Sequence, residues 1–245
     1  MLKAVRVGVV SRDYSRHFGN GHRDFSGTFG EVLKILDERR CDVVLFSLYS
    51  LVQRDMMPPL RLLRHVRTVM YEEFIDGTKR HAQRYVVAHR SGSTWREYEL
   101  KQVFGTLSGN EHKLAGFVRE EVPRRILGNC CVLLCGETNG VKYSPKAKAV
   151  HDVFGLRKAI PKEANVILNP VHDRMTRFEM KVKRRFLSEH GRWVLSVWNK
   201  GKKDKNGRTK DGTKPAWTVF FNGKEKEIRP LANQLGIEIG VVDLI

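Results

Sequence analysis

Short apolar runs bounded by turn residues, each about one buried strand long, set the strongest limit on what this chain can fold into. Val5–Val10, Asp42–Phe46, Val66–Met70, Arg125–Cys135 (RILGNCCVLLC), Ala164–Leu168 and Trp193–Trp198 are rich in Val, Leu and Ile. They read as near-continuous apolar runs, the pattern of strands covered on both faces. Helical periods lie between them. Thr28–Arg40 carries Phe29, Val32, Leu33 and Leu36 on one face, Pro58 and Pro59 open a short helix through His65, Lys146–Lys158 has helical character, and Met175–His190 reads as a basic helix. A hairpin is expected where Tyr85–Arg90 and Trp95–Phe104 flank the turn Ser91–Thr94. Trp217–Phe221 and Gly236–Leu244 close the chain as strands. Helices alternating with buried strands and broken by hairpins predict an α/β layered fold with mixed sheets.

With 245 residues and 41% apolar content, the chain has the material for one core, and 1–245 is expected to be a single domain. Lys and Arg number 45 against 27 Asp and Glu, a formal charge of +18, which excludes an acidic disordered chain. No apolar run approaches the ~20 residues of a membrane-spanning helix, and the charged, strand-like start does not read as a signal peptide. Cys41, Cys130, Cys131 and Cys135 contain no CxxC pair, so neither a disulfide framework nor a zinc site is expected. P-loop, GxGxxG and HExxH motifs are absent from the sequence, and no cofactor or metal is expected. These features together predict a reduced, cytoplasmic protein that does not enter a membrane.

Cys135 stands at the end of an apolar run, immediately before the turn residues Gly136 and Glu137. A thiol placed there projects from a rigid element, and N–H groups of the following turn can receive an oxyanion. The competing reading is a small core residue, which is also the reading for Cys130 and Cys131.

Eight segments in order carry a family likeness: VRVGVV, DVVLFSLYSL, WREYELKQVF, VLLCGE, EANVILNPVHDRM, RRFLSEHGRWVLSVWNKG, WTVFFNG and GIEIGVVDLI. Together they resemble the nitrilase (carbon–nitrogen hydrolase) superfamily along nearly the whole chain. The resemblance implies a four-layer α-β-β-α sandwich with two mixed β-sheets. It implies Cys135 as nucleophile, with Lys101, which lies 34 residues earlier, as oxyanion stabiliser, and a second glutamate nearest Glu111. Glu137 matches the family's acid after the cysteine, whereas Gly136 replaces its aromatic residue. The position of the general-base glutamate is occupied by Leu48, and Ser47 stands for the proline before it. A leucine accepts no proton, and loss of a general base costs ~10²–10⁴ in rate. Glu99, on the same strand face as Lys101, is a candidate surrogate; its other reading is an ion pair with Lys101 or Arg90.

The helix bearing Arg177, Lys181 and Arg184 and the basic loop 199–214, with Lys202, Lys203 and Lys205, hold much of the charge excess. Basic loops grip phosphate backbone without reading sequence, whereas Trp193, Trp198 and Trp217 sit in strand-like runs and are expected in the core. Three classes therefore stand side by side. The first is an amide or nitrile hydrolase with an incomplete Glu-Lys-Cys set. The second is a catalytically impaired scaffold that binds nucleic acid or a nucleic-acid enzyme such as a defence reverse transcriptase. The third is a structural homo-oligomer subunit.

Overall fold

The computed structural model describes residues 3–13, 27–48, 50–53, 60–74, 83–103, 111–172, 174–201, 206, 214–233 and 235–244. The chain forms two compact units. One contains Ala4–Lys101, Val197–Trp217 and Ile228–Ile245, and the other Met1–Lys3, Gln102–Ser196 and Thr218–Glu227.

In the first unit, strands β1 (Arg6–Arg12), β2 (Val43–Phe46), β3 (Leu51–Gln53), β4 (Thr68–Phe74), β5 (Gln83–Ser91), β6 (Thr94–Leu100) and β15 (Ile237–Asp243) make one seven-stranded mixed sheet. The core of that sheet is parallel, with Val7 opposite Val43 between β1 and β2 and Val43 opposite Thr68 between β2 and β4. The expected hairpin forms the antiparallel β5–β6 edge, and β15 pairs antiparallel with β1. Helix α1 (Phe29–Glu38) buries Phe29, Val32, Leu33 and Leu36. They pack with Val10, Val44, Phe46, Val69, Tyr71, Val86 and Ile239 of the sheet. Gly8 permits this close approach, since a Cβ there would meet Leu36 Cδ2 at 2.6 Å.

The second unit is built on a six-stranded sheet in the order β14 (Lys224–Lys226), β13 (Trp217–Phe221), β12 (Trp193–Val197), β11 (Val166–Pro170), β8 (Cys130–Val132) and β7 (Ile126–Leu127). Strands β8 and β11 are parallel, with Val166 opposite Cys130 and Leu168 opposite Val132. A small hairpin joins β9 (Lys142–Ser144) and β10 (Ala149–His151). Helix α2 (Glu111–Gly116) continues through π and 3₁₀ turns to Arg125, α3 is a single turn (Leu156–Ala159), and α4 spans Phe178–Leu187. Leu114, Phe117, Val122, Leu156 and Leu187 cover Cys131, Leu133, Ile167, Val194 and Phe220.

Three expectations change. The run 125–135 is not one strand, because Gly128 adopts φ +61° in a turn that divides β7 from β8. Residues 146–158 hold a turn, β10 and α3 rather than one helix, since Lys148 and Gly155 take left-handed φ values of 49° and 72°. The loop placed at 199–214 begins later than its composition suggests. Asn199 and Lys200 are buried, and Lys200 Nζ lies 2.6 Å from Glu238 Oε1. Most of the remaining loop, with Lys202, Lys203 and Lys205, lies outside the described residues. The three tryptophans are buried as expected, with Trp193 stacked on Phe221 at 4.4 Å.

Candidate active site

Strand β8 runs through Leu133 and Leu134 into a 3₁₀ helix at Cys135–Gly140. Cys135 begins that helix with φ +39°, a left-handed conformation that costs a non-glycine residue ~1–3 kcal/mol. The carboxylate of Glu137 fixes the turn from within. Its Oε2 accepts the N–H of Leu134 at 2.7 Å, and its Oε1 accepts the N–H of Val103 and the Nη2–H of Arg125, each at 3.0 Å. Glu137 and Arg125 are both buried. Burial pushes the Glu137 carboxyl up to about 7, against the pull of Arg125 and the two backbone N–H groups.

His172 enters from the neighbouring strand. It follows β11, whose parallel pairing with β8 brings the carboxyl ends of both strands to one edge. Its Nδ1 lies 3.2 Å from Cys135 Sγ. Both side chains are partly exposed, as a thiol that meets substrate must be.

A buried polar network underlies the pair. Asn169 of β11 donates through Nδ2 to the Leu133 carbonyl at 2.6 Å. Its Oδ1 accepts from Arg184 Nη2 at 2.7 Å and from Ser196 Oγ at 2.9 Å. Arg184 also donates from Nε to Ser196 Oγ at 2.6 Å and from Nη1 to the Met180 carbonyl at 3.1 Å. The three acceptors of Arg184 are neutral oxygens, yet its side chain is 0% exposed. Burial pulls the guanidinium down to about 10, and the charge that pulls it back up is that of Cys135. A buried cation beside a thiol favours the thiolate.

The other cysteines are different in kind. Cys41, Cys130 and Cys131 are buried, and burial pushes the Cys41 and Cys131 thiols up to about 12. Among the described residues no group of three or more His, Cys, Asp or Glu is arranged to hold a metal ion, and no described helix is long and apolar enough to cross a membrane.

Two solved structures of similar fold are variants of one amidase. A Glu-to-Leu variant of the amidase from Nesterenkonia sp. AN1, carrying the acetamide moiety of fluoroacetamide on its active-site cysteine, matches with a TM-score of 0.50 and 12% identity over 98% of this chain and 90% of that one. A Cys-to-Ala variant of the Nesterenkonia AN1 amidase, from the nitrilase superfamily, matches with the same values. The chain has the nitrilase-superfamily fold. At 12% identity the likeness is one of fold alone. No protein-family profile and no curated protein sequence matches the chain.

On this nitrilase-type scaffold the residues singled out from the sequence fall in different settings. Cys135 occupies the strand end described above. Lys101 lies just beyond β6 in the other compact unit, 85% exposed, with Nζ 3.4 Å from Glu99 Oε1. Glu111 opens α2, 55% exposed and 4.0 Å from Lys142 Nζ. Leu48 is buried after β2, and its carbonyl accepts from Asn199 Nδ2 at 3.0 Å. Asn199 Oδ1 also accepts from Ser47 Oγ at 2.6 Å, so this turn is tied by neutral groups. On α4, Arg177 is exposed at the N-terminus, and Lys181 is 2.7 Å from Glu225. Arg184 is a correction, because a guanidinium without solvent exposure meets no nucleic acid. His172, Asn169 and the inward role of Arg184 were not read from the sequence. The available signal was the Asn-Pro-Val-His stretch at the carboxyl end of a buried run.

Proposed function

We propose that this chain is a cysteine-dependent hydrolase of C–N bonds in small amides, with Cys135 as nucleophile and His172 as proton carrier. The observation that carries this reading is the 3.2 Å contact between His172 Nδ1 and Cys135 Sγ at a left-handed strand end. The sulfur attacks the amide carbonyl carbon while the thiol proton passes to His172. His172 returns that proton to the nitrogen as the C–N bond breaks, leaving an acyl thioester. Water then adds to the thioester carbonyl, giving its proton to His172, and the C–S bond breaks to regenerate the thiol. Arg184 favours the ionised sulfur from below, and Glu137 holds the turn. This arrangement supplies a base where the resemblance led to Leu48. In the Nesterenkonia amidase variant a cysteine takes up an acetamide group although a Glu has been replaced by Leu, so a leucine at a glutamate position is compatible with a reactive thiol.

The scaffold class rests on the +18 charge, but of the four cations of α4, Lys181 and Lys183 are ion-paired and Arg184 is buried, which leaves Arg185 as the exposed one. The test is incubation with fluoroacetamide followed by peptide mass analysis, alongside ammonia release from short aliphatic amides. One acetamide group on Cys135 and amide hydrolysis lost in Cys135→Ala are expected. No adduct on Cys135, or hydrolysis surviving Cys135→Ala, overturns the reading.

A further inference from the structure

The charge excess has a focus in the first unit, away from any residue assigned above. Arg6, Arg40, Arg64 and Arg67 line a cavity of about 330 Å³ together with His65, and Asp42 and Asp243 complete its wall. The two carboxylates are already engaged. Asp42 Oδ2 accepts the N–H groups of Val5 and Arg6 at 2.8 and 3.0 Å, and Asp243 pairs with Arg6. No carboxylate among the described residues pairs with Arg40, Arg64 or Arg67.

The segment bearing three of these groups is held rigidly. The Asp37 carboxylate accepts the backbone N–H groups of Arg64, His65 and Val66 at 2.7–3.1 Å. From the other side Arg90 donates to the carbonyls of Leu63 and Arg64. Arg67 and Thr68 donate their N–H groups to the Asp42 carbonyl at 2.9 and 3.1 Å. A cationic segment fixed by its backbone, with its side chains left over, is organised before any ligand arrives.

Arg40 adds a second, independent observation. It follows the C-terminus of α1 with φ +57°, and the Cys41 N–H closes back on the Leu36 carbonyl at 3.0 Å. This is the position where helices ordinarily use glycine. The arginine at this position carries backbone strain and adds its side chain to the cavity wall.

We infer that this cavity binds a compact phosphate-bearing anion, a phosphate monoester or pyrophosphate, through Arg40, Arg64 and Arg67. Guanidinium groups match phosphate oxygens bidentately. The cations converge on one cavity and carry two carboxylates among them, whereas a nucleic-acid grip spreads its cations along a track.

Inorganic pyrophosphate titrated calorimetrically into the full chain at low salt tests this, with Arg40→Gly, Arg67→Gln and a single-stranded RNA oligonucleotide as further arms. Wild type is expected to bind, and each variant to bind at least ~10-fold more weakly. Arg40→Gly is expected to keep or raise the melting temperature without ligand, because glycine relieves the left-handed strain. Equal affinity in wild type and both variants, or no binding by wild type at millimolar pyrophosphate, overturns the inference. Tight RNA binding that pyrophosphate does not displace replaces the compact anion with nucleic acid and overturns it too.

Discussion

The Nδ1 of His172 lies 3.2 Å from the sulfur of Cys135, although the two residues are separated by a complete crossover in sequence. Parallel pairing of β8 and β11, with Leu133 N–H bonded to the Leu168 carbonyl at 3.0 Å, carries both to the same sheet edge. Asn169 then ties the Leu133 carbonyl to the Arg184 guanidinium, so imidazole, thiol and buried cation are placed by one rigid piece of sheet.

Cysteine labelling should therefore be selective. Iodoacetamide applied to the native protein at about pH 8 is expected to modify Cys135 and to spare Cys41, Cys130 and Cys131, which are buried. Peptide mass mapping reads the outcome. Modification of Cys130 or Cys131 ahead of Cys135 contradicts the assignment.

His172→Gln removes proton transfer while keeping a polar side chain at a partly exposed site. Amide turnover is expected to fall by ~10²–10⁴, with the melting temperature nearly unchanged. Lys101→Met, a change in a side chain that is 85% exposed and beside Glu99, is expected to cost less. The reverse order in the steady-state rates would return the leading role to Lys101.

The layered α/β class was legible because buried strands announce themselves locally. Phe29, Val32, Leu33 and Leu36 mark α1 by their spacing, and Val166–Leu168 needs both faces covered wherever it lies. Cys135 was legible by position at the end of such a run. His172 was not, because its role depends on β11 lying beside β8, a pairing of residues more than thirty positions apart. Arg184 misled for a related reason. It sits in a basic stretch, and only the neutral acceptors supplied by Asn169, Ser196 and Met180 make burying it tolerable. The turn at Lys148 and the break at Gly128 turn on backbone dihedrals that composition does not record.

Glu137→Ala strips the buried partner from Arg125 and releases the Leu134 and Val103 N–H groups. A loss of about 3–5 kcal/mol in urea unfolding at about pH 8 is expected; a loss below about 1 kcal/mol contradicts the role given to Glu137.

The pH dependence of that carboxyl has a definite sign. With its value raised from 4.5 to about 7, the folded state holds the Glu137 proton more tightly than the unfolded state does. The contribution is fully present below about pH 4.5 and is lost as pH rises through 7. Wild type is thus expected to lose more stability than Glu137→Gln between about pH 5 and 8. Parallel stability curves for the two proteins contradict this.

Arg184→Met replaces the buried guanidinium with an apolar side chain of similar length. Alkylation of Cys135 is expected to slow by ~10-fold near neutral pH and by much less near pH 9.5, where a thiol ionises without a neighbouring cation. A slowing of equal size at both pH values would mean that Arg184 only supports the fold.

The most direct measurement is the site-resolved rate of Cys135 carbamidomethylation in the wild-type chain at about pH 7, set against free cysteine in the same buffer. A nucleophile held by His172 and Arg184 should react at least ~10-fold faster than the free amino acid. A rate equal to or below that of free cysteine contradicts a nucleophilic Cys135.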